Sequence, residues 1–322
     1  MHKELYPLQF NPILKERIWG GEKLKTHLNK SFTSINTGES WEISTVPGSV
    51  SVVSNGSLKG KKLTELITAS PVEILGSLVL DRYGVEFPLL FKFLDAKEDL
   101  SIQVHPNDVL AKKRHNSLGK TEMWYVMQAD TKAEIIVGFK ETATQEEYLE
   151  KLKANKLLSI LKPIPVQVGD VYFLDAGTVH AIGRGILIAE IQQTSDLTYR
   201  LYDFDRTDAH GNKRELAIDL ALDAINFQKQ ETQKMYSKEP NQSNLIVDCP
   251  HFTTNFIPIT KSFEVNKTGD TFTVYMCVDG NFSIDVNEMQ FNYQKGDTVL
   301  IPAGIKNYFL SGNALILEIY IS

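Results

Sequence analysis

Apolar residues fall in short runs along most of the chain, clearest at 87–94, 100–104, 123–127, 186–191, 271–278 and 314–321. Their Val, Ile, Phe and Tyr content, with Gly, Pro, Asn or Asp at the ends, predicts the strands of a β-sandwich or barrel. Helical spacing interrupts this pattern in three places. Ser70, Pro71 and Glu73 spell a capping box with proline at the first helical position. Thr144 and Glu147 open a second helix, with Tyr148, Leu149, Leu152, Leu158 and Leu161 on its apolar side and Pro163 beyond its end. A third helix is predicted over 214–227. The polar stretch 228–244, which contains Pro240, separates a last block of strands, so the domains are expected at 1–235 and 236–322.

One internal repeat organises these strands. Residues 169–180, Gly-Asp-Val-Tyr-Phe-Leu-Asp-Ala-Gly-Thr-Val-His, are echoed at 296–307 by Gly-Asp-Thr-Val-Leu-Ile-Pro-Ala-Gly-Ile-Lys-Asn. Each copy is a Gly-Asp turn, an apolar strand, an Ala-Gly step and a final residue three positions on. This resembles the second signature motif of the cupin barrel, a double-stranded β-helix of the jelly-roll class. The expected fold is therefore mainly β, a bicupin of two jelly-roll barrels with a few inserted helices. In that motif the final position commonly supplies a metal ligand. It is His180 in the first copy and Asn307 in the second.

Period-two alternation adds further candidates. Over 100–105 it places Ser101, Gln103 and His105 on one face and Leu100, Ile102 and Val104 on the other. Over 120–124 it groups Lys120, Glu122 and Trp124. With His180, the inward set becomes Gln103, His105, Glu122 and His180. Two imidazoles, a carboxylate and an amide oxygen suit Zn²⁺, with Mn²⁺ or Fe²⁺ as alternatives. His2, His27, His115, His210 and His251 lie in no such pattern and read as ordinary polar residues. The second copy lacks both the histidine and any preceding Gln-x-His or His-x-His, so it is expected to be a structural barrel without metal.

Composition narrows the function classes. The 322 residues include 34 Lys and Arg against 40 Asp and Glu, a net charge of −6, which argues against a general nucleic-acid binder. It leaves room for a small anionic substrate held by a local basic cluster. No run approaches the roughly 18 apolar residues of a membrane span, and 1–7 have no apolar core of a secretory signal. Cys249 and Cys277 are too few for a disulfide framework and read as small buried hydrophobes in a reducing cytoplasm.

Taken in order, several segments carry a resemblance: Arg17-Ile18-Trp19-Gly20-Gly21, 101–106 (Ser-Ile-Gln-Val-His-Pro), 119–125 (Gly-Lys-Thr-Glu-Met-Trp-Tyr), 176–183, 194–203 and 214–219. The chain resembles the type I mannose-6-phosphate isomerases, in their short bacterial form, from about residue 6 to its end. That family interconverts mannose 6-phosphate and fructose 6-phosphate with zinc. The resemblance implies one Zn²⁺ per chain on Gln103, His105, Glu122 and His180, and a catalytic arginine at Arg200. It implies substrate contacts, chiefly to the phosphate, at Ser101 and Lys120. Glu190 joins them, as does Arg206 where some relatives carry lysine, a change that keeps the charge and alters the hydrogen-bond geometry. Longer relatives have a sizeable helical insert before the His180 region, where this chain has a single predicted helix.

The chemistry asks for the same kinds of group. Shifting a carbonyl between C1 and C2 removes a proton beside a carbonyl and passes through an enediol or enediolate. That requires an electrophile for the developing oxyanion and a base for the carbon-bound proton. A metal serves as the electrophile without redox change, or orients the open-chain sugar while Arg200 meets the oxyanion. Thr198, Arg200 and Tyr202 share a face if extended. Glu190, Lys120 and a hydroxide held at the metal are the candidate bases. Trp19 and Trp124 are candidates for core, sugar contact or both, and Trp41 for packing. Competing readings are a metal-dependent cupin oxygenase, weakened by Gln103 in place of histidine, and a non-catalytic sugar-phosphate sensor. The expected partners are a sugar phosphate alone, with no nucleic acid or membrane, in a cytoplasmic monomer or weak homodimer.

Overall fold

The structure is a computed structural model that describes residues 5–207 and 211–322; the start of the N-terminal segment, His2 and His210 lie outside them. Its first part supplies β1 (Ile13–Gly21), β2 (Thr37–Ile43), β3 (Leu89–Ala96), β4 (Ile102–Val104), β5 (Glu122–Ala129), β6 (Glu134–Phe139), β7 (Leu161–Pro165), β8 (Val171–Leu174), β9 (His180–Ile182), β10 (Ile186–Gln193), β11 (Tyr199–Tyr202) and β12 (Gln233–Lys234). These form two antiparallel sheets, ordered β1-β2-β3-β10-β5-β8-β12 and β11-β4-β9-β6-β7. The second part supplies β13 (Asn244–Asp248), β14 (Thr253–Ile259), β15 (Phe263–Asn266), β16 (Thr273–Val286), β17 (Met289–Gln294), β18 (Thr298–Ile301) and β19 (Asn307–Tyr320), all in a third sheet. Among the described residues no helix is long and apolar enough to cross a membrane.

The predicted runs at 87–94, 123–127 and 186–191 supply β3, β5 and β10, and they read as continuously apolar because the first sheet is covered on both faces. On β5, Met123, Tyr125 and Met127 enter one core while Trp124 and Val126 enter another. Phe91 and Phe93 of β3 point into the first of these cores, which also takes Met276, Leu300, Leu317 and Ile319 from the third sheet. The N-terminal segment ties the two parts further, with Leu8 and Leu300 exchanging backbone hydrogen bonds of 2.8 and 2.9 Å. Lys30, buried, donates at once to Glu42 (2.8 Å) and to the Gly296 carbonyl (2.7 Å). The opposite face of the first sheet looks onto the second sheet, and the site lies between them.

The strand ends differ from the sequence reading most at β16. A bulge at Val278, between Cys277 and Asp279, shifts the register, and pairing to β19 continues to Asp285. The helices needed more correction. The helix at Pro71–Leu75 forms without a side-chain cap, because Ser70 instead closes the preceding helix Leu63–Ala69 through its own N–H. Thr144 does cap the helix Gln145–Lys153, accepting from Glu147 N at 3.1 Å. Asn155 then turns left-handed at φ 56°, so Leu158 falls in a short 3₁₀ turn and Leu161 starts β7. Over 214–227 only Ile218–Leu222 is helical. The Ala217 N–H bonds the Arg200 carbonyl and the Glu215 carbonyl accepts from the Arg200 guanidinium, which ties this stretch to β11. Short helices at Lys23–Leu28, Leu63–Ala69, Ser77–Tyr83 and Asp108–His115 went unpredicted.

Candidate metal centre and active site

Register places the key side chains in two facing rows. On the first sheet Lys92, Glu190 and Trp124 stand directly opposite one another on β3, β10 and β5. On the second, Arg200, Gln103 and His180 do the same on β11, β4 and β9. Ile102 and Val104 of β4 go to the outer core under the helix Gln145–Lys153, which leaves Gln103 inward. A cavity of about 430 Å³ lies between the rows, lined by Ser101, Gln103, Lys120, Trp124, Glu190 and Arg200 among others.

At its inner end His105, Glu122 and His180 converge, with one ligand atom from each lying within 4.8 Å of the others. His180 Nε2 is 3.4 Å from Glu122 Oε1, and His105 Nε2 is 3.6 Å from Glu122 Oε2. The outer nitrogens fix both tautomers. His105 Nδ1 donates to the Leu197 carbonyl and His180 Nδ1 to the Thr178 carbonyl, each at 2.8 Å, so both Nε2 lone pairs face inward. Gln103 Nε2 lies 3.2 Å from His180 Nε2; turning the amide over presents Oε1 at the same point. Lys120 Nζ stands 3.2 Å from Glu122 Oε2.

These donors fit a divalent cation. His105 Nε2 and Glu122 Oε1 are buried with no hydrogen-bond partner among the described residues, and each such orphan costs about 1–3 kcal/mol, while Glu122 Oε2 lies beside the Lys120 ammonium. Nitrogen and oxygen ligands of this kind suit zinc. Burial holds the His180 imidazole down to about 4 and His105 well below its usual value, so both are neutral and ready to ligate. Burial, only partly offset by Lys120, pushes Glu122 up to about 7. The metal-free fold therefore holds a proton on Glu122 that an unfolded chain has lost, and this contribution to its stability fades as pH rises from about 4.5 to about 7. A cation held there would have to displace that proton. Calorimetry in buffers of different ionisation heat is expected to show about one proton released from this group on zinc binding near pH 6 and almost none near pH 8. Equal release at both would contradict the raised carboxyl.

The other sequence candidates divide. Ser101, Lys120, Glu190 and Arg200 all line the cavity, as do Trp19 and Trp124. Arg200 Nε donates to Ser101 Oγ at 3.2 Å. Leu100 also lines it, because β4 begins only at Ile102 and the alternation does not reach back that far. Tyr202 leaves the face of Thr198 and Arg200, since the β11–β4 register shifts between Arg200 and Tyr202; its ring packs on Phe204 at 5.1 Å. Arg206 is not brought to the cavity. Its guanidinium is tied to the Asp203 carboxylate at 2.6 Å and to the Asp99 carbonyl. Trp41 packs in the interior and donates to Glu39 Oε2 at 2.6 Å. Asn307, at the position matching His180, is exposed. Cys249 and Cys277 are unpaired thiols, the latter buried.

Arg17, Glu39, Lys92, Asp196 and Arg214 also line the cavity and were not singled out as site residues. Lys92 carried a signal: a lysine amid the apolar run 89–94 that is 4% exposed. Arg214 has Asp203 as its partner, through Nε at 2.7 Å. The turn that delivers His180 depends on Gly177, whose φ is +94° and whose N–H bonds the His105 carbonyl at 2.9 Å. A Cβ there would stand 2.7 Å from the Ala224 carbonyl oxygen. Gly177→Ala is expected to cost about 1–3 kcal/mol and to weaken zinc binding; melting curves with and without zinc would check it, and an unchanged midpoint would contradict it.

Residues 7–149 match the phosphomannose isomerase type I catalytic domain, and residues 241–321 match the mannose-6-phosphate isomerase cupin domain. The chain is 39% identical to a mannose-6-phosphate isomerase of Streptococcus mutans over 313 residues, covering 97% of each. It is 38% identical to the Bacillus subtilis mannose-6-phosphate isomerase ManA, covering 96% of each. A crystal structure of mannose 6-phosphate isomerase from Bacillus subtilis superposes with a TM-score of 0.90 at 32% identity, covering 98% of this chain and 100% of that one. The chain belongs to the type I phosphomannose isomerase family.

Proposed function

We propose that the protein interconverts mannose 6-phosphate and fructose 6-phosphate at the cavity between the two sheets, with zinc held by His105, Glu122, His180 and Gln103. The observation that carries this is the convergence of buried ligand atoms of His105, Glu122 and His180, within 4.8 Å of one another, beside a cavity that presents Arg200, Lys120 and Glu190. A bound zinc ion would supply Lewis acidity toward the sugar's carbonyl oxygen without redox change. Glu190 takes the proton from C2 of the open-chain aldose and returns it to C1, while the hydroxyl proton of O2 passes to O1. Arg200 faces the oxygen on which charge gathers in the enediolate.

Several features support these roles. Burial alone would raise Glu190, yet Lys92 and then Lys120 outweigh it and keep the carboxyl below its usual range, ready to accept a proton. Its Oε2 is buried and has the Lys92 ammonium as its ion-pair partner at 3.2 Å. Lys120 is held protonated by Glu122 and Glu190 against the effect of burial, which suits a donor to phosphate better than a base. Ser101 and Lys120 serve the substrate's phosphate, and Arg206 steadies Asp203 from outside the cavity. The sheets also favour two barrels, divided near residue 235. Glu318 on β19 stands opposite Tyr275 and Asn255 as Glu190 stands opposite Trp124 and Lys92. In the second barrel the tyrosines Tyr275 and Tyr308 close this place with a 2.7 Å hydrogen bond, and we assign it a structural role. The unpaired thiols support a reducing, cytoplasmic setting.

Turnover of mannose 6-phosphate by zinc-loaded protein in deuterated water tests the reading. Fructose 6-phosphate should form, with deuterium entering at C1 in proportion to exchange at the base. Fully metallated protein that makes no fructose 6-phosphate would overturn it.

A further inference from the structure

Resting on the isomerase reading above, we propose that Lys92 is a positioning residue that holds the Glu190 carboxylate facing the substrate. Lys92 and Glu190 are direct cross-strand neighbours, and Lys92 Nζ lies 3.2 Å from Glu190 Oε2. Trp124, the neighbour on the other side, donates from Nε1 to Glu190 Oε1 at 3.1 Å. The carboxylate is thus fixed from both flanking strands, by an indole on one oxygen and an ammonium beside the other.

The ammonium is itself held in place. Its Nζ lies 4.9 Å from the centroid of the Trp41 ring, a cation–π distance. On the side away from Glu190 stands Glu39, which takes the Trp41 indole N–H at 2.6 Å and Arg17 Nε at 2.8 Å. Lys92 and Arg17 outweigh burial and bring the Glu39 carboxyl down to about 2. Charges thus alternate across β1, β2, β3 and β10, with the ion pairs Arg17–Glu39 and Lys92–Glu190 joined through Trp41. Stability alone does not explain it, because apolar side chains of similar volume commonly replace buried ion pairs without loss. A fixed carboxylate in a cavity does explain it. The charged and titratable groups facing Glu190 are Lys92, Lys120, Glu39, Glu122 and His180. Lys92 is the one among them placed opposite it in register.

A mutant cycle on the zinc-loaded enzyme tests the proposal with K92M, E190Q, the double variant and K92R. K92M should lower kcat by about 10–100-fold with KM little changed, and E190Q by about 10²–10³-fold. The double variant should be no slower than E190Q, because Lys92 acts only through Glu190. K92R should recover most of the K92M loss. The double variant leaves no charged Glu190 stripped of its partner, and Glu39 keeps Arg17, so its comparison with E190Q holds even where K92M alone folds poorly. Multiplied losses in the double variant, or a K92M effect carried by KM, would overturn the proposal. Wild-type protein without turnover would overturn the isomerase reading and this proposal with it, whereas an active wild type with K92M unchanged would overturn this proposal alone.

Discussion

Glu122→Ala is expected to lose its zinc and at least about 10³-fold in kcat, which corresponds to the several kcal/mol that a bound metal contributes to stabilising transition-state charge. The size follows from the position of this side chain. Glu122 is the one carboxylate in the trio, it approaches both imidazoles, and it is 1% exposed. Without it two neutral histidines and an amide remain, and Lys120 loses its nearest counter-charge at 3.2 Å. That cation then repels the metal at short range in a site that excludes water. The measurement is metal content by elemental analysis beside turnover under saturating substrate. Full zinc occupancy with normal turnover would remove Glu122 from the centre.

Arg200→Ala should lower kcat by about 10²–10³-fold, the 3–4 kcal/mol typical of one lost oxyanion donor, with zinc content unchanged. Arg200 is half-buried, and its hydrogen bonds run to Ser101 and the Glu215 carbonyl rather than to the trio. Burial and the neighbouring Arg214 both press its pKa downward, which marks a guanidinium short of counter-charge and able to meet an anion. Arg200→Lys should recover only part of the loss, because a lysine cannot keep the Ser101 and Glu215 bonds while addressing the substrate. Steady-state kinetics with parallel zinc analysis would show this. Near-normal turnover in the alanine variant would exclude Arg200 from the chemistry.

Much of this site was legible because strand alternation is a local property. Ser101, Gln103 and His105, like Lys120, Glu122 and Trp124, could be read inward from period two alone. His180 came from a repeat, and Arg200 from a resemblance. What escaped was non-local. Lys92 and Glu39 sit on strands buried on both faces, where alternation is hidden by apolar residues either side. Arg214 reaches the cavity because 214–217 is bonded to β11 and not wound into the predicted helix. Arg206 looked equivalent to a substrate lysine by spacing, but Asp203 and the Asp99 carbonyl, neither visible as partners in the sequence, claim it. The short helices were missed because six to eight residues carry too little periodicity to read.

The most direct test of the account is conversion of mannose 6-phosphate to fructose 6-phosphate by purified protein as isolated, after chelation, and after zinc is returned. Turnover that disappears with the metal and comes back with zinc is the predicted result, and it would join reaction, cofactor and site in one experiment. Turnover that survives complete removal of metal, or its absence from fully zinc-loaded protein, would contradict it.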